Sequence, residues 1–270
     1  MQALSSKLSA QEGRLFSWVQ MTNTVCADTK QLSAALRLTP IQCHKLLDRM
    51  NKRGIITQLQ RGLYLFPAKL PPGGKWQPSI DLAVWYFLTA KKAQWQETGL
   101  TAFNFYGLSE QIANQTTIYN DKVSAVRKFG RLSVTFIKVP PNRIGDTVEI
   151  DSPDNPQIKR KVGSLARVIF DAVYDYSRFG TLPKAFAWIA AKKKDQRFLR
   201  ELVSSVLQYG NIASCRRIGW FLENLEVDKE IIQPLKKKIG ATYSFIPADP
   251  AAPKKGKSNM TWNVVENYMR

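Results

Sequence analysis

Thr39 to Phe66 reads TPIQCHKLLDRMNKRGIITQLQRGLYLF. Thr39 with Gln42 three residues later can form a capping box, in which each side chain satisfies the other's orphan backbone donor. Pro40 falls at the first helical position, where its missing N–H costs nothing. Cys43, Leu46, Leu47 and Met50 then recur on one face, and Gly54 supplies a left-handed stop. The spacing predicts an amphipathic helix near 40–53. Ile55, Ile56, Thr57 and Leu59 lead to Arg61-Gly62, and Leu63, Tyr64, Leu65 and Phe66 return. A hairpin is expected there, although Arg-Gly is a weaker turn pair than Asn-Gly.

The same start signal occurs twice upstream. Ser9 precedes Glu12 and Asp28 precedes Gln31, each at capping-box spacing. Helices are expected near 9–20 and 28–36, with Leu15, Phe16 and Val19 on one face of the first and Leu32, Ala35 and Leu36 on one face of the second. A tight link around Arg37 to Thr39 joins the second helix to the third as a helix-turn-helix. Three helices and a hairpin make residues 1–68 a winged helix-turn-helix in this reading. On a recognition helix, side chains near the start reach base edges and later basic ones meet phosphates. Gln42, His44, Lys45 and Arg49 are therefore the candidates for the major groove, and Thr39 at the helix start is a further candidate DNA contact. Lys52 and Arg53, with Gln60 and Arg61 on the wing, are the candidates for the DNA backbone. The plainer account is a solvated face on a winged domain that binds protein.

Global charge points the same way. Forty Lys and Arg oppose 21 Asp and Glu across 270 residues, a formal charge of +19. Such an excess favours polyanions, because bound cations release counterions condensed on phosphates. Apolar runs such as Leu82 to Leu88 fall far short of the ~20 residues that span a bilayer. No apolar signal block opens the chain. Cys26, Cys43 and Cys215 form neither a disulfide framework nor a zinc motif, which suits a reducing, cytoplasmic setting.

Lys69 to Pro78, KLPPGGKWQP, reads as a linker, leaving 79–270 as a larger mixed α+β domain. Helices are expected at Ile80–Ala90 and Leu100–Tyr106. Strands follow at Thr116–Tyr119, Arg131–Val139, Val148–Asp151 and Ile158–Val162. A helix capped by Ser164 comes next, then helices at 182–194, 197–209, 212–225 and 229–239, with weak strands at 242–246 and 260–265. Strands first and helices clustered toward the C-terminal half indicate α+β.

Several stretches in this order resemble the AbiEi antitoxins of bacterial type IV toxin–antitoxin systems. They are Arg61-Gly62-Leu63-Tyr64, Thr101-Ala102-Phe103, Gly107-Leu108-Ser109-Glu110-Gln111, Val134-Thr135-Phe136 to Pro140-Pro141, Gly210-Asn211 with Arg216-Arg217-Ile218-Gly219-Trp220, and Trp262-Asn263-Val264-Val265. Gly163-Ser164-Leu165-Ala166 departs from the family's Ser-Pro-Glu at that point. The resemblance implies a non-enzymatic antitoxin that represses its own operon, commonly at inverted repeats in double-stranded DNA. It also implies neutralisation of a nucleotidyltransferase-like toxin, which need not be held in a stable complex.

Catalytic chemistry finds little support in the residues. His44 is the single histidine, so neither a multi-His metal site nor a His-based triad is available. Gly256-Lys257-Ser258 ends like a phosphate loop, but Ala251 stands where its first glycine belongs, and a flexible basic loop is expected instead. Asp146, Glu149, Asp151 and Asp154 would make a Mg²⁺-dependent nuclease only if they converged, and acidic turn residues are far commoner. No cofactor and no metal are expected. Lys192, Lys193, Lys194, Arg197 and Arg200, with Arg216 and Arg217, form a candidate patch for nucleic acid or a partner. Lys236 to Lys238 form another run, and such runs commonly serve as solvated faces or helix ends. The alternative to the antitoxin is a stand-alone winged-helix transcription factor whose second domain senses a small molecule.

Overall fold

The computed structural model describes residues 8–268 except 72, 114, 154 and 242. Residues 1–7, Asp154 and the start of the expected strand at 242–246 thus lie outside the described residues. The chain is mixed α+β. It opens with α1 (Ala10–Met21), β1 (Cys26–Asp28), α2 (Thr29–Leu36), α3 (Pro40–Lys52), β2 (Thr57–Gln60) and β3 (Leu63–Leu65). All three expected capping boxes are present, at Ser9/Glu12, Asp28/Gln31 and Thr39/Gln42. Leu15, Val19, Leu32, Leu36, Cys43, Leu46, Leu47, Met50, Ile55, Ile56, Tyr64 and Phe66 are buried in one cluster. Burial of this apolar face, at about 25 cal/mol per Å², is what holds short helices that would be marginal alone.

The strands form a small antiparallel sheet in the order β1-β3-β2. β1 was not legible in the sequence; its Asp28 serves both as strand end and as cap of α2. A bulge between Gln58 and Gln60 re-aims the hairpin. At its tip the Gly62 carbonyl accepts from the backbone N–H of Thr29 at 2.9 Å and from its hydroxyl at 3.2 Å, so the hairpin tip is tied to the start of α2.

After α4 (Ile80–Ala90) come β4 (Trp95–Thr98), α5 (Gly99–Phe105), β5 (Thr116–Asn120), β6 (Ala125–Phe129), β7 (Leu132–Lys138), β8 (Thr147–Ser152) and β9 (Asn155–Gly163). Residues 1–94, 122–138 and 150–160 make one compact unit; residues 95–121, 139–149 and 161–270 make a second. In the first unit the β6–β7 hairpin packs on α4, with the Phe87 ring 5.7 Å from Phe129 and 5.0 Å from Phe136. Gln77 anchors that hairpin's turn, donating to the Phe129 carbonyl at 2.7 Å and accepting from the Arg131 N–H at 2.9 Å. Gln77, from the stretch expected as a linker, is thus bonded within this unit.

In the second unit β4 pairs antiparallel with β5 and parallel with β9 at Glu97↔Val162. The C-terminal half is helical: α6 (Leu165–Tyr174), α7 (Tyr176–Phe179), α8 (Leu182–Ala191), α9 (Gln196–Tyr209), α10 (Ile212–Asn224) and α11 (Lys229–Ile239). Phe170, Val173, Phe186, Ile189, Leu199, Leu202, Val206, Ile218, Leu222 and Leu235 fill their interior. A buried ion network crosses this core. Arg167 pairs with Asp171 at 3.0 Å, Arg143 lies 3.7 Å from the same carboxylate, and the Tyr119 hydroxyl bonds Asp175. Lys238 donates to the carbonyls of Val206, Leu207 and Gly210, satisfying the exposed C-terminal groups of α9.

The tail forms a sheet of β10 (Ile246–Pro247), β11 (Lys257–Asn259) and β12 (Val264–Glu266), in the order β10-β12-β11. This corrects the expected flexible loop at Gly256-Lys257-Ser258, because Lys257 pairs with Glu266 and Ser258 with Val265. Gly219 admits the Trp262 ring so closely that a Cβ there would fall inside it. None of the helices among the described residues is long and apolar enough to cross a membrane.

Candidate functional site

α3 turns Cys43, Leu46, Leu47 and Met50 into the core, which leaves Gln42, His44, Lys45, Arg49 and Lys52 on the opposite, exposed face. Thr39 and Arg61 are exposed as well, and Gln60 is half-buried. All nine candidate DNA-binding residues thus lie at the surface of the first unit, but they are not equally available. Thr39 and Gln42 are engaged with each other's backbone in the capping box, at 3.3 and 3.0 Å. Lys52 pairs with Asp48 at 2.7 Å, one turn back.

Arg49 and Arg53 are held more firmly. Both reach the carboxylate of Glu12, Arg49 Nε at 3.3 Å and Arg53 Nη1 at 2.7 Å. Glu12 has no exposed side-chain surface, whereas the two arginines keep 53% and 33% of theirs. Burial pulls the Glu12 carboxyl upward, but the Ser9 N–H and the guanidinium groups of Arg53 and Arg49 outweigh it and hold the group below its ordinary value. One buried anion therefore fixes the last turn of α3 to the first turn of α1. His44 and Lys45 have no such tie among the described residues and project from the middle of the helix.

The end of α3 borders a groove of about 680 Å³, lined in part by Asn51, Gln58, Lys75, Lys128, Gly130 and Arg131. Lys75, Lys128 and Arg131 are exposed, and no carboxylate among the described residues lines the groove or pairs with them. Sequence reading missed all three. Lys128 and Arg131 flank the turn of a hairpin whose first strand has little apolar alternation, and that turn is held by Gln77, remote in sequence.

The patch expected in the second half divides. Lys193, Lys194, Arg197 and Arg200 are exposed, Lys192 is half-buried, and Arg197 pairs with Glu201 at 2.8 Å. Arg216 and Arg217 do not belong to it, being only 3% and 8% exposed. The Arg216 guanidinium donates to the carbonyls of Trp262, Ser244 and Asn263, and that of Arg217 to Pro247, over the Tyr176 ring at 5.1 Å. They anchor the C-terminal sheet on α10, because buried carbonyls that would otherwise lack donors need them. The described acids of the 146–154 stretch each have their own partner. Asp146 accepts from Ser205 at 2.7 Å, Glu149 faces Lys161 at 3.7 Å, and Asp151 pairs with Lys159. Among the described residues no three or more His, Cys, Asp or Glu converge as metal ligands. The three cysteines are free.

Residues 38–153 match a family described as a family of unknown function (DUF6088). No curated protein matches the chain. A solved structure, described as the RV2827C protein from Mycobacterium tuberculosis, superposes with a TM-score of 0.61 at 12% identity. The match covers 96% of this chain and 92% of that one, and at such identity the likeness concerns the fold. By fold, then, the chain is similar to RV2827C, and by sequence its residues 38–153 are similar to DUF6088.

Proposed function

We propose that this protein is a DNA-binding regulator whose α1–β3 segment works as a winged helix-turn-helix. The observation that carries this reading is the outward face of α3, with His44 and Lys45 untied at its centre and the acid-free groove of Lys75, Lys128 and Arg131 at its end. α3 enters the major groove in this arrangement. His44 and Lys45 meet base edges, Arg61 of the wing meets backbone, and the groove cations lie along a neighbouring phosphate strand. The net charge of +19 supports the same partner.

The resemblance to AbiEi antitoxins extends the proposal to a cytoplasmic, non-enzymatic antitoxin that represses its own operon at inverted repeats and neutralises a nucleotidyltransferase-like toxin. Mobility-shift titrations on DNA upstream of the gene test the first part. Lys45→Ala should weaken binding and relax sequence preference. The double variant K128A/R131A should keep that preference and lower the salt slope by about 0.9 for each phosphate that is no longer neutralised. Absence of any shift at about 50 mM salt removes the reading. Co-expression with the neighbouring reading frame tests the second part, and unrelieved toxicity would oppose it. The reading of a stand-alone regulator with a ligand-sensing half is favoured by one feature, a cavity in the second unit.

A further inference from the structure

That cavity measures about 480 Å³, within the usual range of small-ligand sites. It lies among α5, the residues Ser109, Gln111, Ile112, Gln115 and Thr117, the Arg178–Thr181 corner and α8, all within the second unit. An aromatic group forms one side: the Phe103 ring stands edge-on to Phe179 at 5.8 Å and tilted against Trp188 at 5.2 Å. Phe103 is buried, while Trp188 keeps part of its surface open. Polar side chains of Ser109, Gln111 and Thr117 also line the space.

Its charge is one-sided. Arg178 and Lys184 both line the cavity and both are exposed, yet neither has an ion-pair partner among the described residues, and no carboxylate lines the space. The start of α8 adds to this. Thr181 occupies its N-cap but turns its hydroxyl to the Ala172 carbonyl at 2.8 Å, so no side chain caps the first turn. Two cations without ion-pair partners, lining one cavity beside an uncapped helix start, favour an anion there. An aromatic wall next to them suits a flat ring.

We propose that this cavity binds a mononucleotide, its phosphate between Arg178 and Lys184 and its base against Trp188. Sites lined by cations and an open aromatic recognise that pairing of anion and ring, and a space of this size takes one such unit and not a strand. The cavity alone supports this assignment, and the test contains no duplex DNA, so its failure leaves the DNA reading untouched.

Calorimetric titration of the full chain with AMP, GMP, CMP and UMP, with adenosine and with inorganic phosphate, decides it. At least one mononucleotide should saturate a single site, about tenfold or more tighter than adenosine or phosphate, since charge-assisted contacts and stacking each contribute at about that level. R178Q/K184Q should weaken that nucleotide at least tenfold and leave adenosine unchanged. Trp188→Leu should weaken nucleotide and adenosine alike and leave phosphate unchanged. Circular dichroism establishes that the variants are folded. No saturation by any mononucleotide at about 5 mM, a weaker interaction than most specific sites show, overturns the proposal. So does binding of every mononucleotide no tighter than phosphate, or binding of only a single-stranded oligonucleotide.

Discussion

Replacing Glu12 with Gln should destabilise the first unit by about 2 kcal/mol, a figure that follows from what the substitution keeps. Gln at the third helical position can still complete the capping box with Ser9, so the backbone donor remains satisfied. The loss falls on two charge-assisted links, from Arg53 at 2.7 Å and Arg49 at 3.3 Å. Two charges ~4 Å apart attract by about 4 kcal/mol at an effective dielectric of ~20. Both arginines stay half in water, so screening removes most of that; a charged hydrogen bond nets about 1.5–3 kcal/mol before that discount. Two discounted links give about 2 kcal/mol in total. Because the folded Glu12 carboxyl sits below its ordinary value, its contribution is fully present at pH above the ordinary carboxylate value and is lost as pH falls through the depressed one. The gap between wild type and E12Q in urea unfolding should therefore be widest near neutral pH and close in acid. Unfolding free energies agreeing within about 0.5 kcal/mol at neutral pH, or a gap that persists unchanged into strong acid, would refute the argument. On DNA the same variant releases two arginines, and each that gains a phosphate steepens the salt slope by about 0.9.

Arg37 closes α2 in the left-handed region at φ 54, so Arg37→Gly should raise the unfolding free energy from urea titration by about 0.5–1 kcal/mol through relief of that strain. Gly219→Ala would force the Trp262 ring from its seat, costing about 1–3 kcal/mol or more and shifting tryptophan emission toward that of an exposed indole. Arg167→Met would strand the buried Asp171 carboxylate, and equilibrium unfolding should record a loss of about 3–5 kcal/mol.

Where signals are local, sequence reading located the structure closely. The three capping boxes and the Gly54 stop gave α1, α2 and α3 to within a residue or two, and the apolar spacing of Cys43, Leu46, Leu47 and Met50 gave the buried face. Short strands escaped it. Trp95–Thr98 is buried throughout but reads as one aromatic followed by polar residues, and Lys257–Asn259 has no apolar pattern at all. Each is a strand because a partner elsewhere in the chain supplies its hydrogen bonds. Charge misled for a similar reason. Arg216 and Arg217 look like surface until carbonyls from Ser244, Pro247 and Trp262 close over them, and Arg49 looks free until Glu12, on another helix, claims it.

The first compact unit is assembled from three separated lengths of chain, and this sets an order of events during synthesis. Its last length, residues 150–160, emerges from the ribosome long after α3 has formed. Ser152 and Arg160 from that length reach back to Asp81 at 2.7 and 3.6 Å. A nascent chain halted near residue 140 would hold the β6–β7 hairpin that packs on α4 but lack Ser152 and Arg160, the partners of Asp81 at that helix's start. Fragments cut at the proline-rich stretch would divide this unit, because it runs from before that stretch to residue 160.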